Sequence, residues 1–271
     1  MAQVVLTTGA NSGIGLATVI ELARRGFDSV GSVRSEVKAR QVARAAREAG
    51  VKVRTVRLDV TNAAACARVI DQLRPYGLVN NAGYSVTGAV EDVDDQEAQR
   101  ALETMVLAPM RLARLALPHM RAAGAGRIVN LSSIYGLTTT PLTGWYQASK
   151  HAIEALSDAL RIEVAKDGIK VVLIEPGGFR TGIWEESSTD IERRRGSRYE
   201  GAYRRAESGT RLTQPLMGDP RTVARTIGRA LTSRSPRPRY LVGYDAQAIA
   251  FWDLVLPAEV KDRLARISLG L

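Results

Sequence analysis

Short runs of β-branched and apolar residues alternate with helical periods along most of the chain, and this rhythm limits the fold more than any other feature. "VVLTT" leads into "GIGLATVIELARRG", "SVGSV" into "SEVKARQVARAAREAG", and "KVRTVRLDV" into "AAACARVIDQLR". "GLVNNAG" precedes a long helical segment from Asp95 to Ala123, and "RIVNLSS" precedes a helix expected from Tyr146 to Lys166, followed by "IKVVLIEPGG". Runs that are apolar at nearly every position fit strands buried on both faces, as in a parallel sheet. Alternation with helices then predicts a doubly wound α/β domain with about seven strands.

The rhythm breaks after Gly178. Residues 184–216 are polar, charged and punctuated by glycine, so an irregular flap is expected there, within one domain spanning 1–271. Regularity returns in "DPRTVARTIGRALTS", where Asp219 is placed to cap a helix and Pro220 to open it. "PRYLVG" reads as a last strand and "PAEVKDRLARI" as a closing helix, while "AIAFWDLVLP" stays open between core, interface and membrane-facing patch. No apolar run approaches the roughly 20 residues of a membrane helix. "QVVLTT", directly after Met1, reads as a buried strand and not as a signal peptide. The single cysteine, Cys66, has no intrachain partner, so a reduced, cytoplasmic setting is expected.

The formal net charge is +10. A basic surface attracts phosphate, which makes nucleic-acid binding one reading. Lys and Arg are nevertheless spread over every expected helix, and 5% aromatic residues offer little for base stacking. An arginine-rich soluble enzyme with no nucleic-acid partner is the preferred reading. The densest cluster, "ERRRGSRYEGAYRR" from Glu192 to Arg205, could serve an acidic substrate, although Glu192, Glu200 and Glu207 partly balance it.

In "TTGANSGIG", Gly9, Gly13 and Gly15 fall where a strand must turn into a helix. Without side chains there, the backbone can approach a pyrophosphate at the helix N-terminus. The strand–turn–helix context gives the motif its weight, and no Gly-Lys-Ser/Thr follows, so it is not a Walker loop. Farther on, "YQASK" sets Tyr146 and Lys150 on one helical face. Such pairs are usually solvated, and alone this one does not choose between surface decoration and an acid with a tuning cation.

The wider pattern does choose. Thr-Gly-x-x-x-Gly-x-Gly, "NNAG" at Asn80–Gly83, "LDV" at Leu58–Val60, Tyr-x-x-x-Lys and "PGGFRT" at Pro176–Thr181 occur in register to about Thr181. The sequence resembles the short-chain dehydrogenase/reductases, and its texture around "ALSDALRIEVAKDGIKVVLIEPGGFRT" is similar to the 17β-hydroxysteroid-dehydrogenase-like branch. The resemblance implies a Rossmann fold and a nicotinamide cofactor. It implies cofactor contacts from Gly9, Asn11, Ser12, Gly13, Ile14 and Gly15, from Asp59 and Val60 near the adenine, and from Asn81, Ala82 and Gly83. Tyr146, Lys150, Pro176, Gly177 and Thr181 complete that set on the nicotinamide side. It also implies a homodimer or homotetramer through the helices beginning at Asp95 and Tyr146.

An acid ending the second strand would bind the ribose 2′-OH of NAD, and a cation there would welcome the 2′-phosphate of NADP. Here Val33 occupies the acidic position and Arg34 follows, with Ser35 adding a hydroxyl, so NADP(H) is expected. The alkoxide left by hydride transfer to a carbonyl needs a proton, and Tyr146 is read as its acid/base. Lys150 is expected to lower the tyrosine from its ordinary value of about 10 and to hold the nicotinamide ribose. Ser133, 13 residues before Tyr146, matches the family spacing and is preferred to Ser132 for orienting the substrate oxygen.

One member of the pattern departs. The family's asparagine in the long fourth-connection helix, which supports a water chain to the lysine, is replaced by Met105, whose sulfur cannot replace an amide. A backbone carbonyl opened to water, another proton route through the pocket, or a weakly active nucleotide-binding regulator are the three open consequences. His119 and His151 lack partners at metal spacing and are read as structural or solvated, with no metal implied. Tyr135, Trp145, Phe179 and Trp184 flank the catalytic positions and are expected to line an apolar pocket for a moderately large ketone or secondary alcohol: alicyclic, aromatic or steroid-like.

Overall fold

The computed structural model describes residues 2–271. Seven strands form one sheet, and every pairing is parallel. In chain order they are β1 (Val4–Thr7), β2 (Asp28–Val33), β3 (Arg54–Arg57), β4 (Gly77–Asn80), β5 (Gly126–Leu131), β6 (Ile169–Pro176) and β7 (Arg239–Val242), arranged 3-2-1-4-5-6-7. Parallel neighbours need crossovers, which α1 (Gly13–Arg24), α2 (Glu36–Glu48), α3 (Ala63–Leu73), α4 (Asp95–Leu102), α5 (Ala108–Ala122), α6 (Gly144–Glu163) and α9 (Pro220–Thr232) supply. Adjacent strand residues separate into two cores because side chains alternate across a sheet. Leu6, Leu78, Ile128 and Val171 pack under α3 and α5, whereas Val5, Val79, Val129 and Val172 pack with Leu22 of α1 and Val223 and Ile227 of α9.

The expected doubly wound architecture is therefore present, and Asp219 does cap α9, its Oδ1 accepting from Arg221 N at 2.8 Å. The third strand is not buried on both faces as its neighbours are. β3 is an edge whose Arg54 and Arg57 are exposed, a charged border of the kind that discourages strand addition. The strand order reverses on either side of β1, so the carboxyl ends of β1 and β4 flank a crevice where ligands characteristically bind in this architecture.

The largest departure from expectation is the flap. Residues 184–216 are not irregular: α7 (Ile183–Arg193) and α8 (Glu200–Thr213) occupy most of them. Their charges pair one turn apart, Arg204 with Glu200 and Arg211 with Glu207, each at 2.8 Å, and so support helix where composition suggested loop. Tertiary clamps fix the segment. Arg194, between the helices, is 8% exposed and meets Glu97 of α4 at 2.9 Å. The buried Tyr203 hydroxyl donates to Asp92 at 2.6 Å and accepts from Ala89 N at 2.7 Å.

Two helices close the chain, α10 (Tyr244–Val255) and α11 (Ala258–Leu269). "AIAFWDLVLP" falls mainly in α10, where only Ala246 is buried and Phe251 and Trp252 are more than half exposed. No helix among the described residues is long and apolar enough to cross a membrane. The Arg194 clamp gives a first test. Glu97→Gln leaves a buried guanidinium without its counter-charge, so urea unfolding should show a loss of about 3 kcal/mol. An unchanged midpoint would mean that the ion pair does not hold the flap.

Candidate active site

At the β1–β4 crevice the glycine turn is held by side chains as well as by its own geometry. Gly9 and Gly13 have φ of 65° and 51°, in the left-handed region that glycine enters without strain. A Cβ at Gly15 would overlap the Gly9 carbonyl oxygen and stand 2.6 Å from Asn81 Nδ2. Asn81 Nδ2 donates to Thr8 O at 2.8 Å and Gly9 O at 3.2 Å, while Thr8 Oγ1 accepts from Asn81 N and Ala82 N at 2.9 and 3.0 Å. The "NNAG" segment thus fastens the turn to the end of β4. A Cβ at Gly13 would stand 3.1 Å from Thr181 Cγ2, so the "PGGFRT" segment closes over the same turn. Ser12 precedes α1 without a side-chain cap, its Oγ accepting only from Asn11 Nδ2 at 3.4 Å.

Beyond this turn, Arg34 is exposed just past the end of β2 and forms no ion pair among the described residues. Ser35 Oγ is taken up in capping α2, accepting from Lys38 N at 3.4 Å. Asp59 Oδ1 accepts from Thr61 N at 3.0 Å and Thr61 Oγ1 at 2.8 Å. The backbone hydrogen bond from Thr61 is the main cause of an Asp59 carboxyl held below its ordinary value, with the Arg34 charge adding to it. Val60 is buried, and its carbonyl already accepts from Arg111 Nη1 at 3.1 Å. Ile14 packs its side chain against the core under α9, leaving its backbone at the α1 N-terminus.

The other half of the site is built on β5 and α6. Ser133 follows β5, 8% exposed, and its Oγ accepts from Tyr135 N at 3.2 Å. Tyr146 and Lys150 lie in the first turns of α6, with Lys150 Nζ 5.5 Å from the Tyr146 ring centroid. Lys150 is 7% exposed and donates to Leu131 O at 2.9 Å. Tyr135 meets the Tyr146 ring edge-on with centroids 6.4 Å apart. The three expected residues are therefore brought together.

Their electrostatics differ from expectation. Burial pushes the Tyr146 hydroxyl up to about 12, against a downward pull from its hydrogen bond with Ser133. Burial likewise pulls the Lys150 ammonium down to about 8, opposed by the charge of Glu154. The expected lowering of the phenol is therefore not found: desolvation of the ionised form dominates, and the group that opposes it is Ser133. Ser132 faces the other way: a Cβ at Gly136 would stand 2.5 Å from its Oγ and 3.2 Å from Glu154 Oε1.

The sequence family described as short chain dehydrogenase matches residues 3–192. An uncharacterised oxidoreductase of Bacillus subtilis, YusZ, is 34% identical over 250 residues, 89% of each chain. The chain belongs to the short-chain dehydrogenase family. A 3-ketodihydrosphingosine reductase of Bacteroides thetaiotaomicron is 31% identical over 246 residues, 89% of this chain and 88% of its own. Among solved structures, an actinorhodin polyketide ketoreductase with NADPH superposes with a TM-score of 0.77 at 26% identity, covering 92% of this chain and 97% of that one.

In this family member Met105 sits in a π-helical turn, Glu103–Leu107, between α4 and α5. Such a turn displaces backbone carbonyls from the regular ladder and is frequent at functional sites. Met105 itself is 2% exposed and packs with Val86, Ala101, Tyr84, Trp145 and Tyr146, forming an apolar wall beside the phenol. Trp145 belongs to that wall, with its Nε1 buried and unpartnered. Trp184 is half-buried on α7, its Nε1 donating to Phe179 O at 2.8 Å.

Phe179 corrects the expected pocket. It is 4% exposed in the core under α9, and its ring fills the space that a side chain at Gly218 would need. The turn that carries it is fixed by α10, where Asp245 Oδ2 accepts from Gly178 N at 2.5 Å. A Cβ at Gly177 would overlap that carboxylate, and Gly177 N donates to Val242 O at 2.9 Å beyond Pro176, so this end of the site is closed by backbone. Sequence reasoning missed Tyr84 and Glu154. Glu154 was legible as the residue one turn past Lys150 on the same helical face.

The basic stretch is also accounted for. Arg193 pairs with Asp190 and Arg195 with Glu192 at 2.8 Å within the flap, Arg194 reaches Glu97 of α4, and Arg205 donates to Leu269 O of α11 at 2.8 Å. The site geometry yields a sharp test at the turn. Gly15→Ala should weaken nucleotide binding about tenfold or more, since a clash with rigid backbone displaces the loop. Tight binding by that variant would mean the turn tolerates a side chain.

Proposed function

We propose that the protein is an NADPH-dependent reductase that converts a ketone to a secondary alcohol on a moderately large, mostly apolar substrate. The observation that carries this reading is the assembly of Ser133, a neutral Tyr146 and Lys150 beside an apolar wall of Met105, Trp145 and Tyr84. The ketoreductase and the 3-ketodihydrosphingosine reductase among the relatives support the ketone class by name. The regulator alternative raised by Met105 gains no support from these relatives, whose names are those of oxidoreductases.

The residues fit a dinucleotide. Side chains at Gly9, Gly13 and Gly15 would fill the cradle, Ser12 leaves the first N–H groups of α1 free for phosphate, and Arg34 is an unpaired cation where a 2′-phosphate would lie. NADPH, when bound, supplies the hydride. The protein does the rest. Ser133 Oγ holds the substrate carbonyl oxygen within reach of Tyr146, and the phenol gives that oxygen its proton as charge develops. The Lys150 ammonium stabilises the phenolate left behind. A phenol raised to about 12 is almost wholly protonated at neutral pH, so the resting site is prepared to donate.

Two expected outcomes follow from these roles. Tyr146→Phe should bind NADPH as the wild type does while reduction of cyclic, aromatic and steroidal ketones falls by about a hundredfold or more. Full activity in that variant would remove tyrosine from the chemistry. Arg34→Ala should weaken NADPH about tenfold to a hundredfold, the worth of a charge-assisted phosphate contact, and leave NADH nearly unchanged. Wild-type protein that binds NADH as tightly as NADPH would refute the cofactor assignment.

A further inference from the structure

One turn beyond Lys150 on α6, the interior holds a carboxyl pair that the mechanism above does not use. Glu154 is 6% exposed and Glu175, at the end of β6, is 1% exposed. Arg239 Nε of β7 lies 3.1 Å from Glu154 Oε2 and 3.2 Å from Glu175 Oε1, so one guanidinium nitrogen faces both acids. Glu154 Oε1, Glu175 Oε1 and Ser132 Oγ are all buried without a hydrogen-bond partner. Gly136 leaves the room in which Ser132 and Glu154 meet. At the outer end Arg239 Nη2 donates to Asp158 Oδ2 at 2.5 Å, and Arg161 pairs with Asp158 at 3.0 Å. Arg239 and Asp158 are each about a third exposed, so the cluster runs from the buried lysine to solvent.

We propose that Glu154 and Glu175 form a proton store for Lys150, filled from solvent at the Arg239–Asp158 edge, that restores the lysine after each turnover. The inference rests on the reductase reading above. Two buried carboxylates facing one guanidinium nitrogen do not both ionise readily, so the pair retains one proton. Burial, reinforced by the charge of Glu154, raises Glu175 to about 8, close to the value of Lys150, so exchange between them is nearly balanced.

The proton count closes. Reduction leaves a phenolate, which is reprotonated at the expense of the Lys150 ammonium. The neutral amine takes the one proton of the pair, which passes from Glu175 through the Glu154 carboxylate, and the emptied pair is reloaded with one proton by water at the outer edge. One solvent proton enters per ketone reduced. Met105 bears on the need: it is buried in the apolar cluster against which Tyr146 packs and brings no amide to hold a water there.

The test compares full-length wild type with Glu175→Gln and Glu154→Gln. The infrared difference between wild type and Glu175→Gln at neutral pH should show the carbonyl stretch of a protonated carboxyl, fading as pH passes about 8. With NADPH and a ketone, Glu175→Gln should keep cofactor affinity and its first-turnover rate. Its steady-state turnover should fall about tenfold or more, with a larger solvent isotope effect. Glu154→Gln, on the helix and not in the sheet, should give the same split if Glu175→Gln fails to fold.

Absence of the infrared band, or steady-state turnover at the wild-type level in both variants, would overturn the store and direct the proton through the π-helical backbone instead. Equal loss of first and later turnovers would also overturn it, because that is the mark of positioning alone. If wild type binds NADPH and reduces no ketone, the reductase reading fails, and the infrared band by itself decides whether the pair holds a proton.

Discussion

The side chain of Asn81 lies across the seam between β1 and β4, and the site depends on it. Its amide donates to two carbonyls of the turn leaving β1, while its own N–H is received by Thr8 Oγ1. Parallel strands that diverge in opposite directions leave a crevice, and a crevice leaves backbone groups unpaired; each would cost about 1–3 kcal/mol if buried without a partner. Asn81 and Thr8 satisfy them and at the same time fix the turn's shape. Glycine then becomes necessary at position 15, because the fastening atoms already occupy the space of a Cβ. A second seam is treated the same way: Asn80 Nδ2 donates to Asn130 Oδ1, and Asn130 Nδ2 to Ser157 Oγ, each at 2.8 Å, tying β4 to β5 and β5 to α6. The two halves of the site are thus registered through two buried amides and the half-buried Asn81.

The loop before α6 and the flap are registered to each other by different means. Leu142 adopts φ of 68°, unusual for a residue with a branched side chain, and is held there by burial beside Ala202 and Tyr203 and by its carbonyl accepting from Gly88 N at 2.7 Å. α7 rests on the same stretch through Asp190, which accepts from Thr87 N at 2.9 Å, and through Ser187 against Thr87 at 2.8 Å. The wall carrying Tyr84 and the roof carrying Trp184 are therefore one connected unit. Charged side chains of the flap take part in this docking, with Asp190 and Arg194 buried at its contacts.

Much of this was legible because its carriers are local. Strand–helix alternation, the glycine spacing and Tyr146–Lys150 all repeat the geometry of single elements, and those parts match the structure. The flap was misread because its helices are amphipathic through paired charges and a buried tyrosine, which composition registers only as polarity. Phe179 was misplaced because a turn has no period to say which side faces the core; Gly218, far along the chain, supplies the space that draws it inward. Glu154, Glu175 and Arg239 come from α6, β6 and β7, and nothing in the sequence brings three such distant residues together. The direction of the Tyr146 shift was misjudged for a related reason. A lysine four residues away is visible in the sequence, and the depth at which both are buried is not.

That depth bears on the protonation state in which the site rests. A tyrosine lowered by a neighbouring cation rests closer to its ionised, basic form; one raised by desolvation rests as the neutral acid. An apolar residue at position 105 belongs to the second arrangement, since an amide or its water would hydrate the phenolate and bring the tyrosine down. Met105, buried in the cluster against which Tyr146 packs, brings no such amide. The same dryness lowers Lys150, and a lysine near its own titration point is a weak guarantee of positive charge unless something nearby favours the ammonium. Glu154 is the group that opposes the fall. The substitution that dries one side of the tyrosine and the acid buried beyond the lysine are therefore two parts of one electrostatic balance, and neither can be changed without moving the other.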